Sequence, residues 1–375
     1  MSNGNGRTDG PLAGRGQPDE PPPASRTEVF GTLADGRPVH RHLLGEPGGV
    51  QIAVLDHGAT IQGIWLSDAR GGTTNVVLSA ADLDGYFRHH SDYYGAAVGR
   101  FANRIADGRF GVDGVEYQVV RNDGPHCLHG GPDGFHRRLW DIDHADARRI
   151  DLSLTSADGD QGFPGELTVG LTYSVSRDTV SIRFVATTTA PTVVNLTQHA
   201  HFNLDGEGSG SIDDHTLQVV AGRYLPVGAD LIPTGEFADV AGTPFDFRRP
   251  HALGDRMTAS HPQVAIAGGI DHNFVLDRSD DRPAAVLESA RTGRRLEVVT
   301  DQPGLQVYSG NFFDGSHTGP SGRPYERGSG IALETQGFPD APNRSGPEWP
   351  SVRLDPGDRL ETTTTWRFTD TGGRT

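Results

Sequence analysis

The 375-residue chain contains no lysine; all 33 of its basic residues are arginine. Schiff-base, pyridoxal-phosphate and P-loop mechanisms each need a lysine amine or ammonium, so all three are excluded. Cys127 is the only cysteine, which rules out an intrachain disulfide or a cysteine-built metal cluster and leaves packing as its role. No Gly-x-Ser-x-Gly nucleophile elbow occurs, so the Leu128-His129-Gly130-Gly131 run does not read as part of a serine-hydrolase oxyanion hole. Positive charge is scarce: a net charge of −16 argues against nucleic-acid or anionic-membrane partners, which need a concentrated basic patch. No segment reaches the apolar length of a transmembrane helix. Residues 1–26, rich in Gly, Pro, Asp and Arg, lack the apolar stretch of a secretory signal. They read as a disordered tail on a cytoplasmic protein.

Long helical periodicity is missing as well. What the chain does have is 51 Gly and 25 Pro in a composition that is 34% hydrophobic, which suits many short strands joined by turns. Leu167, Val169, Leu171, Tyr173 and Val175 alternate with Thr168, Gly170, Thr172 and Ser174, the pattern of a half-buried strand. Val115–Val119, Val180–Phe184 and Leu305–Tyr308 follow the same period. Only Ala80–His89 reads as a short helix. Many antiparallel strands without intervening helices imply an all-β protein with sheet packed on sheet. No repeat or composition shift divides residues 27–370, which read as one domain, and Asp370–Thr375 reads as a fraying end.

Several polar segments stand out against this background. In Ile331-Ala332-Leu333-Glu334-Thr335-Gln336, strand alternation puts Ala332, Glu334 and Gln336 on one face. The segment alone leaves solvent exposure and costly burial of Glu334 both open. In Val193–Leu204, read as a strand, Asn195, Thr197, His199, His201 and Asn203 share a face opposite an apolar one interrupted by Gln198. Two histidines on such a face suggest proton transfer or a metal. The metal reading approaches a cupin pattern, with His199-x-His201 followed by Glu207. It is weakened because Leu231 stands where the second histidine motif would fall. Tyr94–Gly108 gathers three glycines, two arginines and an asparagine, the latter two types suited to gripping hydroxyls, although Arg100 and Arg104 taken singly also suit solvent or ion pairs. His129 alone could equally be a turn histidine.

Taken in order, these segments resemble the aldose 1-epimerases, or mutarotases, of the galactose mutarotase type, over roughly residues 28–368. The resemblance rests on Gly99-Arg100-Phe101-Ala102-Asn103-Arg104-Ile105, Leu128-His129-Gly130-Gly131 and Thr197–Leu204. It continues through Gly269–Phe274, Leu305–Asn311, Leu333-Glu334-Thr335-Gln336, Pro339-Asp340 and Asn343. It implies a large antiparallel β-sandwich, the galactose mutarotase-like supersandwich, with few short helices and a groove across one sheet. It also implies that His199 is the general acid and Glu334 the general base, with Asn103, Arg104, His129, Asp271 and Gln306 binding a free aldose such as glucose or galactose. Gln198 and His201 depart from the family pattern, which has Asn and Tyr there. Anomer exchange needs one acid and one base, so neither cofactor nor metal is expected. A glycosidase using Asp271 with Glu334, or a non-catalytic carbohydrate-binding domain, stands as the alternative. The preferred sugar and the oligomeric state are not legible.

Overall fold

The computed structural model describes residues 27–67, 72–277 and 282–370. The expected tail at 1–26 and the end at 371–375 lie outside the described residues. Asp370 does not fray: it closes the Leu360–Asp370 strand opposite Arg294.

Two antiparallel sheets make the frame. A nine-stranded sheet runs in the order Asp141–Ala145, Arg149–Ser156, Leu167–Val175, Thr179–Thr188, Leu360–Asp370, Arg294–Thr300, Ala285–Ser289, His215–Val219 and His251–Ala252. A six-stranded sheet runs His201–Phe202, Ile331–Gln336, Gly304–Tyr308, Asp271–Val275, Arg223–Tyr224 and Ala238–Asp239. A further five-stranded meander covers Thr27–Thr32 to Thr73–Asn75. One apolar cluster joins all three, including Ile52 and Ile64, Tyr173 and Phe184, and Leu305, Val307 and Leu333. Phe202 meets Trp366 edge-on across the two large sheets at 4.9 Å and 87°, a geometry worth about 0.5–1.5 kcal/mol beyond the buried area. The Thr335 and Thr364 hydroxyls bond across the same gap at 2.6 Å.

The period-2 reading of Leu167–Val175 holds, since its odd-numbered residues are all buried and the intervening ones are not. Ile331–Gln336 is buried at every position, because the groove on its second face is itself sheltered. The expected helix shortens to Leu83–Arg88, where the Asp82 carboxylate caps the start by accepting from the Gly85 amide at 2.8 Å. Two other short helices, Leu253–Met257 and Pro262–Ala267, carried no sequence signal.

Val193–Leu204 is not one strand. Its pieces Thr192–Val193, Thr197–Gln198 and His201–Phe202 pair with Arg353–Leu354, Ala97–Val98 and Ile331–Ala332 respectively. Gln198 helps break the run, because its amide donates to Gly95 O at 2.6 Å and accepts from the Ala200 N–H at 2.8 Å. The segment thereby stitches three elements together instead of lying flat in one sheet.

Candidate active site

Glu334 enters the groove from the second strand of the six-stranded sheet. Register places Gln306 opposite Glu334, and Asn273 opposite Gln306, while Ile331 and Leu333 turn to the core. His199 arrives from the stitched segment, where its N–H donates to Ala96 O at 2.9 Å and its carbonyl accepts from Gly95 N at 3.0 Å. The two side chains meet with His199 Nε2 3.5 Å from Glu334 Oε1. Both are buried, at 5% and 2% exposure. His199 Nδ1 and Glu334 Oε2 have no hydrogen-bond partner in the protein.

Asn195 joins the segments that carry these groups. Its side-chain oxygen accepts from Gly337 N at 2.7 Å, and its amide reaches Ala102 O at 3.1 Å and Gly337 O at 3.2 Å. One buried amide thus ties the histidine segment, the arginine segment and the end of the Glu334 strand. Asp340 adds a second tie, since its N–H donates to Arg104 O at 2.8 Å and its carboxylate accepts from Ala106 N at 2.9 Å. Asn195→Ala strands Gly337 N, which is expected to cost about 1–3 kcal/mol, and urea unfolding measures it.

Arg104 and His129 form the opposite wall. Arg104 Nε donates to Asp123 Oδ2 at 2.7 Å. Asn103 stands at φ 64° and accepts the Arg104 N–H on its side-chain oxygen at 2.8 Å. The Asn103 N–H donates to His129 Nδ1 at 3.1 Å. A backbone amide can only donate, so Nδ1 is the bare nitrogen of the neutral ring and Nε2 carries the hydrogen. His129 and His199 pack edge-to-face at 5.2 Å. Asp271 completes the floor, accepting from Gln306 Nε2 at 2.6 Å.

Asn103, Arg104, His129, His199, Asp271 and Glu334 line a groove together with Ser91, Asp92, Tyr93, Leu128, Tyr308, Phe312 and Phe313. Six of the seven sequence-derived site residues therefore converge. Gln306 is not among the lining side chains and reaches the groove through Asp271. Arg100 does not grip a ligand: its guanidinium is buried and bonds to the carbonyls of Phe163 and Gly165. Tyr93 was not singled out by sequence reasoning, yet its ring packs on His129 at 4.5 Å and His199 at 5.6 Å. No pattern marked it, because its role depends on a left-handed turn, φ 52°. Cys127 is buried in a satellite core, and burial pushes its thiol up to about 12, so packing is its part.

Electrostatics follow from burial. Desolvation raises Glu334 well above the usual carboxylate range, with the Asp271 charge adding and Arg104 opposing. Desolvation likewise raises Asp271, pushes His199 down to about 4 and holds His129 well below its ordinary value. The pocket thus favours a neutral acid beside a neutral imidazole. His129, His199 and Glu334 also offer ligand atoms within 4.8 Å of one another, a donor set chemically able to hold a cation.

Comparison with known proteins follows the same lines. A family model described as aldose 1-epimerase matches residues 40–367. The galactose mutarotase of Sus scrofa is 42% identical over 341 residues, covering 91% of this chain and 97% of that protein. The aldose 1-epimerase of Escherichia coli K12 is 38% identical over 339 residues, covering 89% and 96%. Among solved structures, an aldose epimerase homologue from C. elegans superposes with a TM-score of 0.81 at 29% identity, covering 88% of this chain and 99% of that one. The galactose 1-epimerase of Lactobacillus acidophilus gives 0.80 at 30% identity, covering 92% and 99%. With that coverage, and with the β-sandwich of its structural relatives, the chain belongs to the aldose 1-epimerase family.

Proposed function

We propose that His199 and Glu334 carry the chemistry of this mutarotase, an isomerase that interconverts the α and β anomers of a free aldose such as glucose or galactose. The observation that supports the assignment is the 3.5 Å approach of the buried His199 Nε2 to Glu334 Oε1 in a groove lined by hydroxyl-gripping side chains. Glu334 as carboxylate takes the C1 hydroxyl proton, and His199 as imidazolium protonates the ring oxygen. The C1–O5 bond breaks and the aldehyde forms. Rotation about C1–C2 turns the other carbonyl face, after which the neutral imidazole takes its proton back from the C5 hydroxyl and the protonated acid returns its proton to the aldehyde oxygen as the ring closes. Protons balance over the cycle, with acid and base exchanging roles.

Burial gives this cycle a direction at each half. The closed sugar meets a charge-separated pair, His199⁺ and Glu334⁻, which a desolvated site disfavours. Ring opening leaves both groups neutral, the state burial favours. Desolvation therefore assists the opening step. The His129 Nε2–H and the Arg104 guanidinium are donors suited to steadying negative charge on the ring oxygen as the bond breaks.

Asn103 and Asp271 grip sugar hydroxyls, and Gln306 orients Asp271. Asp271→Asn is expected to raise KM more than it lowers kcat, and steady-state kinetics over sugar concentration separates the two. Polarimetry of freshly dissolved α-glucose or α-galactose tests the activity itself: the purified protein speeds the approach to anomeric equilibrium. A glycosidase or a binding module leaves that approach unchanged. Neither alternative accounts for a carboxylic acid and an imidazole buried against each other. Residues 27–370 act as one catalytic domain, supported by the single large core that spans its sheets. The net charge of −16 supports a neutral sugar partner rather than nucleic acid or an anionic membrane. No helix among the described residues is long and apolar enough to cross a membrane, and a cytoplasmic setting is part of the same proposal. The cycle uses no metal, so dialysis against a chelator is expected to leave the rate constant unchanged.

A further inference from the structure

We propose that His89, Asp92 and His317 form a binding site for a zinc-class divalent cation at the rim of the sugar groove. His89 follows the Leu83–Arg88 helix, Asp92 ends the short 3₁₀ turn His90–Asp92, and His317 lies on the Asp314–Thr318 strand. Their ligand atoms lie within 4.8 Å of one another, and His89 Nδ1 is 3.8 Å from Asp92 Oδ2. Two imidazoles and one carboxylate are a donor set for a borderline transition ion, with positions left for water.

The second observation concerns His317. It is buried at 4% exposure, yet neither ring nitrogen has a hydrogen-bond partner in the protein. A buried imidazole with both nitrogens unsatisfied costs free energy unless a further group completes it. The His89 ring stacks on it with centroids 4.3 Å apart and planes 5° from parallel, and the Tyr94 and Tyr325 rings pack at 4.7 and 5.1 Å. Stacking satisfies neither nitrogen, but it lines up two imidazole edges beside a carboxylate. Burial holds His317 down to about 4 with help from His89 and Arg88, while Asp82 opposes. The Asp314 carboxylate lies close enough to act on both Asp92 and His89, and its charge favours a cation over the opposing Arg88. Coordination at ~2.0–2.2 Å requires the three donors to close by about an ångström, which a rotation of the part-exposed His89 permits.

Such an ion would clip the Leu83–Asp92 segment to the Asp314–Thr318 strand. Asp92 also lines the sugar groove, and the next residue, Tyr93, packs on His129 and His199. The clip thus borders the catalytic wall without sharing a donor with it. Its ion adds to stability by binding the folded form alone.

Equilibrium dialysis of the full-length protein with Zn²⁺ at pH 7.5, and titration with Co²⁺ followed by its visible absorption, test the site. The groove's own donor set is removed in His199→Asn. One equivalent is expected in both wild type and His199→Asn. His317→Ala and His89→Gln are each expected to weaken binding by at least about 100-fold, the upper end of what losing a mere supporting partner costs. Zn²⁺ raises the melting temperature of the wild type and not of His89→Gln. Should His317→Ala fail to fold, His89→Gln decides, because that residue is part-exposed. The site is refuted if the wild type takes up no equivalent of either metal. It is equally refuted if His89→Gln binds like wild type, or if uptake disappears in His199→Asn.

Discussion

Replacing Glu334 by Gln lowers the mutarotation rate constant by about 10²- to 10⁴-fold and leaves the protein folded. Gln has the shape of a protonated Glu, and the protonated form is the one that burial favours at this position. The substitution therefore removes the proton acceptor without asking the pocket to hold a new charge. A folded carboxyl raised above its unfolded value binds its proton more tightly than the unfolded chain does, so the wild type loses stability as pH climbs from the unfolded value to the folded one. Glu334→Gln has no such loss, and near pH 7 it should melt no lower than wild type. His199→Asn is expected to reduce the rate to a similar extent by removing the acid. Because the two groups pass protons through one substrate, the double variant should lose far less than the product of the single losses. Polarimetry measures the rates and calorimetry the melting. A single variant that retains near-wild-type turnover, with its fold intact, would overturn the acid–base assignment.

The folded protein is expected to lose stability steeply between pH 6.5 and pH 5. Burial holds His57 and His199 down to about 4 and His136 and His272 down to about 3, and keeps His129 and His201 well below the ordinary histidine value. In the unfolded chain all six titrate near 6.5. Below that pH the unfolded state binds protons that the folded state refuses, so acid favours unfolding, by about 1.4 kcal/mol per pH unit for each histidine. Glu334, Asp271 and Asp92 act in the opposite sense, since all three are raised, but they are three groups against six. The aspartates held low by arginine partners, such as Asp35 and Asp355, titrate below this window and do not obscure it. Urea unfolding at pH 7.5, 6.0 and 5.0 provides the test, and unfolding at pH 5 should take up several protons. A midpoint that is flat or rising toward pH 5 would show that these histidines are not buried neutral.

The site was legible as a set of residues and illegible as an arrangement. His199, Glu334, Asn103, Arg104, His129 and Asp271 sit in the short segments that carry the family resemblance, and those six line one groove. Gln306 stands in such a segment too, but which atom it holds, the Asp271 carboxylate, depends on strand register. Arg100 looked like its neighbour Arg104, yet it turns inward to two carbonyls. Tyr93, Asp92 and Phe312 carried no signal, because they reach the groove from turns whose course is set by tertiary contacts. Gln198 and His201 show two outcomes of one kind of departure. Gln198 bonds to the backbone through both its amide nitrogen and its oxygen, whereas His201 is buried with both ring nitrogens unpartnered against His199 at 4.8 Å.

Glu334 makes the division clearest. From the sequence alone followed the all-β class, through alternation that any strand must obey, and the exclusion of lysine, disulfide and nucleophile-elbow chemistry, through residues simply not there. The face on which Glu334 stands also followed, because a strand has only two. Whether that face met solvent or a sheltered groove was a question about its neighbours. Asn195 ties three distant segments around it, the sheet register sets Gln306 and Asp271 beside it, and the broken Val193–Leu204 run delivers His199 to 3.5 Å. Period and composition act locally along the chain, while desolvation and the meeting of an acid with a base depend on residues more than a hundred positions apart. Only the folded chain brings those together.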